Sequence, residues 1–122
     1  MRVLVFGSDK PGARAVVDWL FQDERMHGLL ILTNTGLASY AWMLAGNMAK
    51  DRTQFWLDRF SHKADAMVVA IEQMMKVGKP DVALCVSPRA NDDKTVKLLR
   101  ASGCTVFYGK LDAARAVSWV PA

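Results

Sequence analysis

Short apolar runs alternate with longer amphipathic stretches along this chain, and that alternation restricts its fold more than any other feature. Residues 3–6 (VLVF), 29–33 (LLILT), 82–86 (VALCV) and 104–108 (CTVFY) have strand length and are rich in β-branched or aromatic side chains. Residues 53–58 (TQFWLD) alternate weakly and read as an edge strand. Between these runs lie helical patterns. Over residues 12–26, Ala13, Val16, Val17, Leu20 and Phe21 recur at helical spacing. Residues 37–50 place Leu37, Ala41, Leu44, Ala45 and Met48 on one face, and residues 63–77 do the same with Met67, Val68, Ile71, Met74 and Met75 before Gly78. A fourth helix closes near Ser102, ahead of Gly103.

Apolar runs without internal polar alternation belong to strands covered on both faces. The order therefore predicts an α/β fold: a Rossmann-like, doubly wound parallel sheet of about five strands with helices on both faces. At 122 residues the chain is expected to form one such domain over its whole length. The tail beyond Lys110 (LDAARAVSWVPA) reads as one or two helical turns, anchored by Val117, Trp119 and Val120.

In such a sheet, ligands sit where strands end and helices begin, because helix N-termini offer unpaired N–H groups and partial positive charge. Three stretches fall there. The first is Gly7, Ser8, Asp9 and Lys10, followed by Pro11 at the first helical position. The second is Thr33, Asn34, Thr35 and Gly36, where Thr35 or Ser39 is positioned to cap the next helix. The third holds Ser87 and Arg89, with Asn91 or Asp92 as a cap. Ser8, Asp9 and Lys10 are expected to meet polar ligand groups, the threonine turn to hold a phosphate or ribose, and Arg89 to neutralise charge. Asp9 stands where the dinucleotide fingerprint needs its middle glycine, and Ala13 and Arg14 stand where a phosphate-binding loop needs Lys and Ser or Thr.

Composition removes several classes. The net charge of +4 comes from scattered residues with no run of five like charges, so nucleic-acid binding is disfavoured. No apolar run reaches the length of a membrane span, and a signal peptide's features are missing. A cytoplasmic protein with no membrane partner is expected. Cys85 and Cys104 lack CxxC spacing and a neighbouring histidine, so they read as reduced core thiols, with no metal site and no required cofactor. Trp19 and Trp42 fall off their helices' main stripes, which is compatible with a homo-oligomer or partner contact.

Over about residues 1–109 the chain resembles the SLOG superfamily of Rossmann-like nucleotide-binding proteins, and within it the small YspA-like (cpYpsA-related) group of bacteria and phages. The resemblance rests on MRVLVFGS at residues 1–8, on the strand, turn and Ala-rich helix of residues 30–49, and on residues 54–58. Met74, Met75, the GKPDV run of residues 78–82 and ASGCTV at residues 101–106 extend it. It implies the fold and a nucleotide cleft at the rim. The departures are also specific. The family's glycine-rich turn is here Thr33, Asn34, Thr35 and Gly36, with one glycine left. Its Arg-Asn pair falls near Ala70 and Ile71, and its closing glycine loop is Ser87, Pro88, Arg89, Ala90 and Asn91.

The expected function is thus a small protein that binds a nucleotide or nucleotide-derived ligand at the rim and senses or sequesters it. An alternative is a hydrolase of a nucleotide N-glycosidic or phosphate bond with Asp9 as acid or base. Another is an interaction module with a vestigial pocket.

Overall fold

β1 (Arg2–Gly7) runs through the interior of the sheet, and its side chains explain the architecture around it. Val3 and Val5 point into one core and Leu4 and Phe6 into another. β2 (Gly28–Ile31) and β4 (Val82–Val86) flank β1 and split in the same way. Leu29, Ile31, Leu84 and Val86 join the first core, while Leu30, Ala83 and Cys85 join the second. Each fully buried aliphatic side chain is worth roughly 1.5–3 kcal/mol, so both faces of these strands demand cover.

Among the described residues, four helices supply it. α1 (Pro11–Phe21) and α2 (Leu37–Asn47) cover the first face, whose core includes Val16, Val17, Leu20, Leu37 and Ala41. α3 (Ala66–Gln73) and α4 (Asp92–Ala101) cover the second through Ala70, Ile71, Val96 and Leu99. With β3 (Asp51–Gln54), β5 (Val106–Leu111) and β6 (Val117–Pro121), the computed structural model forms one six-stranded sheet in the order β3-β2-β1-β4-β5-β6. Residues 1–55, 65–112, 114 and 116–122 are described. The first five strands pair in parallel, for example Leu4 with Leu30 and with Ala83. This is an α/β fold with a mostly parallel sheet, compatible with a Rossmann-like fold. No helix among the described residues is long and apolar enough to cross a membrane.

The structure corrects the expected tail. Instead of helical turns, residues beyond Lys110 extend β5 to Leu111 and return as β6, antiparallel to it. The alanines of residues 113–116 favour a helix, but Val117 and Trp119 are spaced by two and both reach the first core. Trp119 packs edge-on to Trp19 (centroids 6.2 Å apart) and tilted against Phe107 (5.8 Å). Its buried indole N–H has no hydrogen-bond partner among the described residues, so packing holds the side chain. Asp112 closes the turn by accepting the Ala116 N–H at 2.8 Å.

Other expectations shift by smaller amounts. The inner face of α3 is Ala66, Ala70 and Ile71, with Met74 following, while Val68 and Met48 are exposed. Residues 74–78 widen into a π turn, closed by the Lys79 N–H on the Met74 carbonyl at 3.0 Å. Trp42 is half-buried beneath the Arg52 guanidinium, 4.5 Å from its ring centroid, rather than exposed. Trp56, Asp58, His62 and the expected start of the third helix at Lys63 lie outside the described residues.

If the aromatic stack docks β6, Trp119→Ala will lower stability by about 2 kcal/mol, a drop of roughly 8 °C in Tm. Thermal unfolding followed by circular dichroism measures it. An unchanged Tm would mean that the Trp119 stack does not hold β6 in place.

Candidate functional site

The three loops at the C-terminal ends of β1, β2 and β4 meet, and two glycines make the meeting possible. Gly7 has φ +134°, and a Cβ on it would lie 1.9 Å from the Val86 carbonyl oxygen. Gly36 has φ +57°, and a Cβ there would lie 2.6 Å from the Gly7 carbonyl oxygen and 2.9 Å from Arg89 Nη1. The Ser8 N–H ties the first loop to the third by donating to the carbonyls of Val86 (3.2 Å) and Ser87 (3.1 Å). Ser87 itself is left-handed, with φ +50°, a conformation that costs a side-chain-bearing residue roughly 1 kcal/mol.

These contacts frame a cleft of about 390 Å³. Phe6 comes from β1, Leu32, Thr33 and Thr35 from the segment after β2, Ala38 from α2 and Met67 from α3. Arg89, Ala90, Asn91, Asp92 and Thr95 complete it around the start of α4. In open α/β sheets the reversal of strand order, here between β1 and β4, opens such a crevice.

Asp92 organises the polar side. It is 4% exposed and accepts the Arg89 backbone N–H at 2.7 Å, Nε at 3.1 Å and Nη2 at 3.3 Å. It therefore turns back onto Arg89 instead of capping its own helix. The hydroxyls of Thr33 and Thr35 lie 3.1 Å apart. Thr95 donates to the Asn91 carbonyl at 3.3 Å, beside the Met67 sulfur. No side chain caps α1, α2 or α4, so the capping roles expected of Thr35, Ser39, Asn91 and Asp92 are not taken up.

A second cleft, of about 540 Å³, lies across the loop that carries Pro88. Gly12, Ala13, Val16, Val86, Ser87, Tyr108 and Lys110 are among its walls. The expected site residues thus divide. Thr33, Thr35 and Arg89 line the first cleft, Ser87 lines the second, and Gly7 and Gly36 join the loops between them. Ser8, Asp9, Lys10 and Asn34 line neither of the two.

Asp9 is engaged elsewhere. Both of its oxygens accept hydrogen bonds from Arg14, from Nε and Nη2, each at 2.7 Å. This pairing holds the Asp9 carboxyl below its ordinary value of 3.8, against a smaller opposing effect of desolvation. Arg14 also lies over the Tyr40 ring, 4.6 Å from its centroid, and the Tyr40 hydroxyl donates to Asp18. A carboxylate held this way is a weak proton acceptor. Burial, helped by the charges of Asp92 and Asp93, pushes the Cys85 thiol up to about 12, so it supplies no thiolate at neutral pH. Among the described residues no three of His, Cys, Asp and Glu are grouped to hold a metal ion.

The sequence places Met67 on the inner face of the third helix and Asp92 at a helix cap, and it assigns Thr95 no role. The spacing of Asp92 and Thr95 puts both on one face of the first turn of α4, which is the signal that could have found them. The chain matches no protein-family model, and no curated protein is significantly similar to it.

Gly36→Ala will strain the backbone and press on Gly7 and Arg89, costing about 1–3 kcal/mol. Urea denaturation reads this, and wild-type stability would show that the loops need no such close approach. Because the folded Asp9 pKa is depressed, the pair's contribution is complete above pH 3.8 and is lost as pH falls through the lower folded value. A carboxyl NMR titration will place the Asp9 midpoint below 3.8 and return it there in Arg14→Gln; equal midpoints in the two proteins would disprove the pairing.

Proposed function

We propose that this protein binds a nucleotide or nucleotide-derived small molecule in the first cleft, in a sensing or sequestering role in the cytoplasm. The observation that carries the reading is the close approach of Gly7, Gly36 and Arg89 at the reversal of strand order. The left-handed Ser87 adds to it, since strain of this kind gathers at sites where the surrounding fold enforces a particular loop shape. Thr33, Thr35 and Asn91 supply hydrogen-bonding groups, and Phe6, Leu32 and Met67 an apolar wall. The engagement of Asp9 with Arg14, away from the cleft, favours binding over turnover.

On the same reading the chain is a divergent, Rossmann-like member of the SLOG superfamily, near the YspA-like group. Gly36, the glycine left in that family's turn, approaches both Gly7 and Arg89 closely.

A thermal-shift panel of nucleotides, nucleosides and bases tests the proposal, alongside native mass spectrometry of protein fresh from cells. A ligand at a hundredfold excess over its Kd should add about 2.7 kcal/mol, and Arg89→Ala or Thr35→Ala should remove the shift. No co-purified mass and no shift across the panel would reject the proposal.

A further inference from the structure

Charge in the first cleft narrows what it can hold. Among the described residues, Arg89 is the only cation on its walls, and that cation already has a partner. Asp92 takes both the backbone N–H and the guanidinium of Arg89, so the pair carries no net charge. Two helix starts reach these walls: that of α2, which has no acidic residue in its first turn, and that of α4, which is compensated. Asp92 and Asp93 occupy its first turn, where carboxylates offset the helix dipole. α1 has no acidic residue in its first turn. A phosphate entering the first cleft would meet the Asp92 carboxylate on its wall and would have to draw Arg89 away from it. Asp92 would then keep a buried charge without its partner, which is strongly unfavourable.

An uncharged heterocycle meets none of this opposition. The apolar walls suit the faces of a ring, and the hydroxyls of Thr33 and Thr35 with the Asn91 amide suit its edge. Bonds to Asp92 through Nε and Nη2 fix the plane of the Arg89 guanidinium. The Arg89 side chain is still 41% exposed, and guanidinium planes stack on bases. A volume of about 390 Å³ is near the lower end for small-molecule sites, enough for a base and its sugar.

We propose that the cleft selects an uncharged nucleoside or nucleobase over its phosphorylated form, and that Asp92 sets this preference. The inference rests on the nucleotide-type reading above and narrows it by charge.

Isothermal titration of the full chain with adenosine, guanosine, cytidine and uridine, and with their 5′-monophosphates, tests it. At least one nucleoside should bind, with its monophosphate weaker by about tenfold or more, and its Kd should not change between low and high salt. Asp92→Asn should shrink the preference by about tenfold. If that variant fails to fold, Asp93→Asn, on the exposed side of the same turn, should shrink it by a smaller factor. A monophosphate that binds wild-type protein as tightly as its nucleoside overturns this inference and leaves nucleotide binding standing. Binding by neither series overturns both. A preference unchanged in the folded Asp92→Asn protein, or in Asp93→Asn where that variant stands in, removes the role given to Asp92.

Discussion

From Val3 onward β1 has no face that water can reach: Val3, Leu4 and Val5 are fully buried, and they alternate between two separate cores. A strand in that position needs a hydrogen-bonded strand on each side and a helical layer above and below. The neighbours β2 and β4 and the pairs α1/α2 and α3/α4 meet those needs in turn. Because β2 and β4 lie on opposite sides of β1, their outgoing loops leave on either side of Gly7. The cleft is therefore a by-product of how the central strand is buried, and it would exist in outline whatever side chains lined it.

What is particular to this chain is the balance of charge inside that outline. Helix starts at a sheet rim ordinarily offer positive potential to a ligand. At α4 that potential is met from within by Asp92 and Asp93. At the β1 loop the carboxylate of Asp9 is likewise met by Arg14. Two of the three ionic groups that the sequence places at the rim, Asp9 and Arg89, are thus satisfied by residues three to five positions along the chain. The polar groups without a charge of their own, the threonine hydroxyls and the Asn91 amide, line the cleft beside them.

The layered order of strands and helices was legible because the buried strands are apolar without interruption, and because α1 carries a clean stripe of Ala13, Val16, Val17, Leu20 and Phe21. The convergence of the loops after β1, β2 and β4 was legible too, since it follows from strand order. Three things were not. Local propensity in the alanine-rich tail pointed to a helix, and the contact of Trp119 with Trp19, a hundred positions earlier in the chain, overrode it. Val68, expected on the inner face of α3, is exposed because Val69 and the methionines give that helix apolar residues on more than one side, whereas Ile71 and Met74 are buried as expected. The pairing of Asp92 with Arg89 stayed hidden because an aspartate ahead of a helix looks the same in sequence whether it caps that helix or turns back on the loop.

The hairpin formed by β5 and β6 bears on how the molecule behaves in a crowded solution. A parallel sheet that stopped at β5 would present a long border of unpaired amides, an open template for other chains. β6 covers that border and ends at Pro121, which has no N–H to offer an incoming strand. At the opposite border β3 is only four residues long and displays Asp51 and Arg52 to solvent. A second copy pairing there would have only these four residues to use, two of them charged. Both borders of the sheet thus resist further growth, and a fold of nearly continuous apolar strands gains protection against runaway self-association from two short segments.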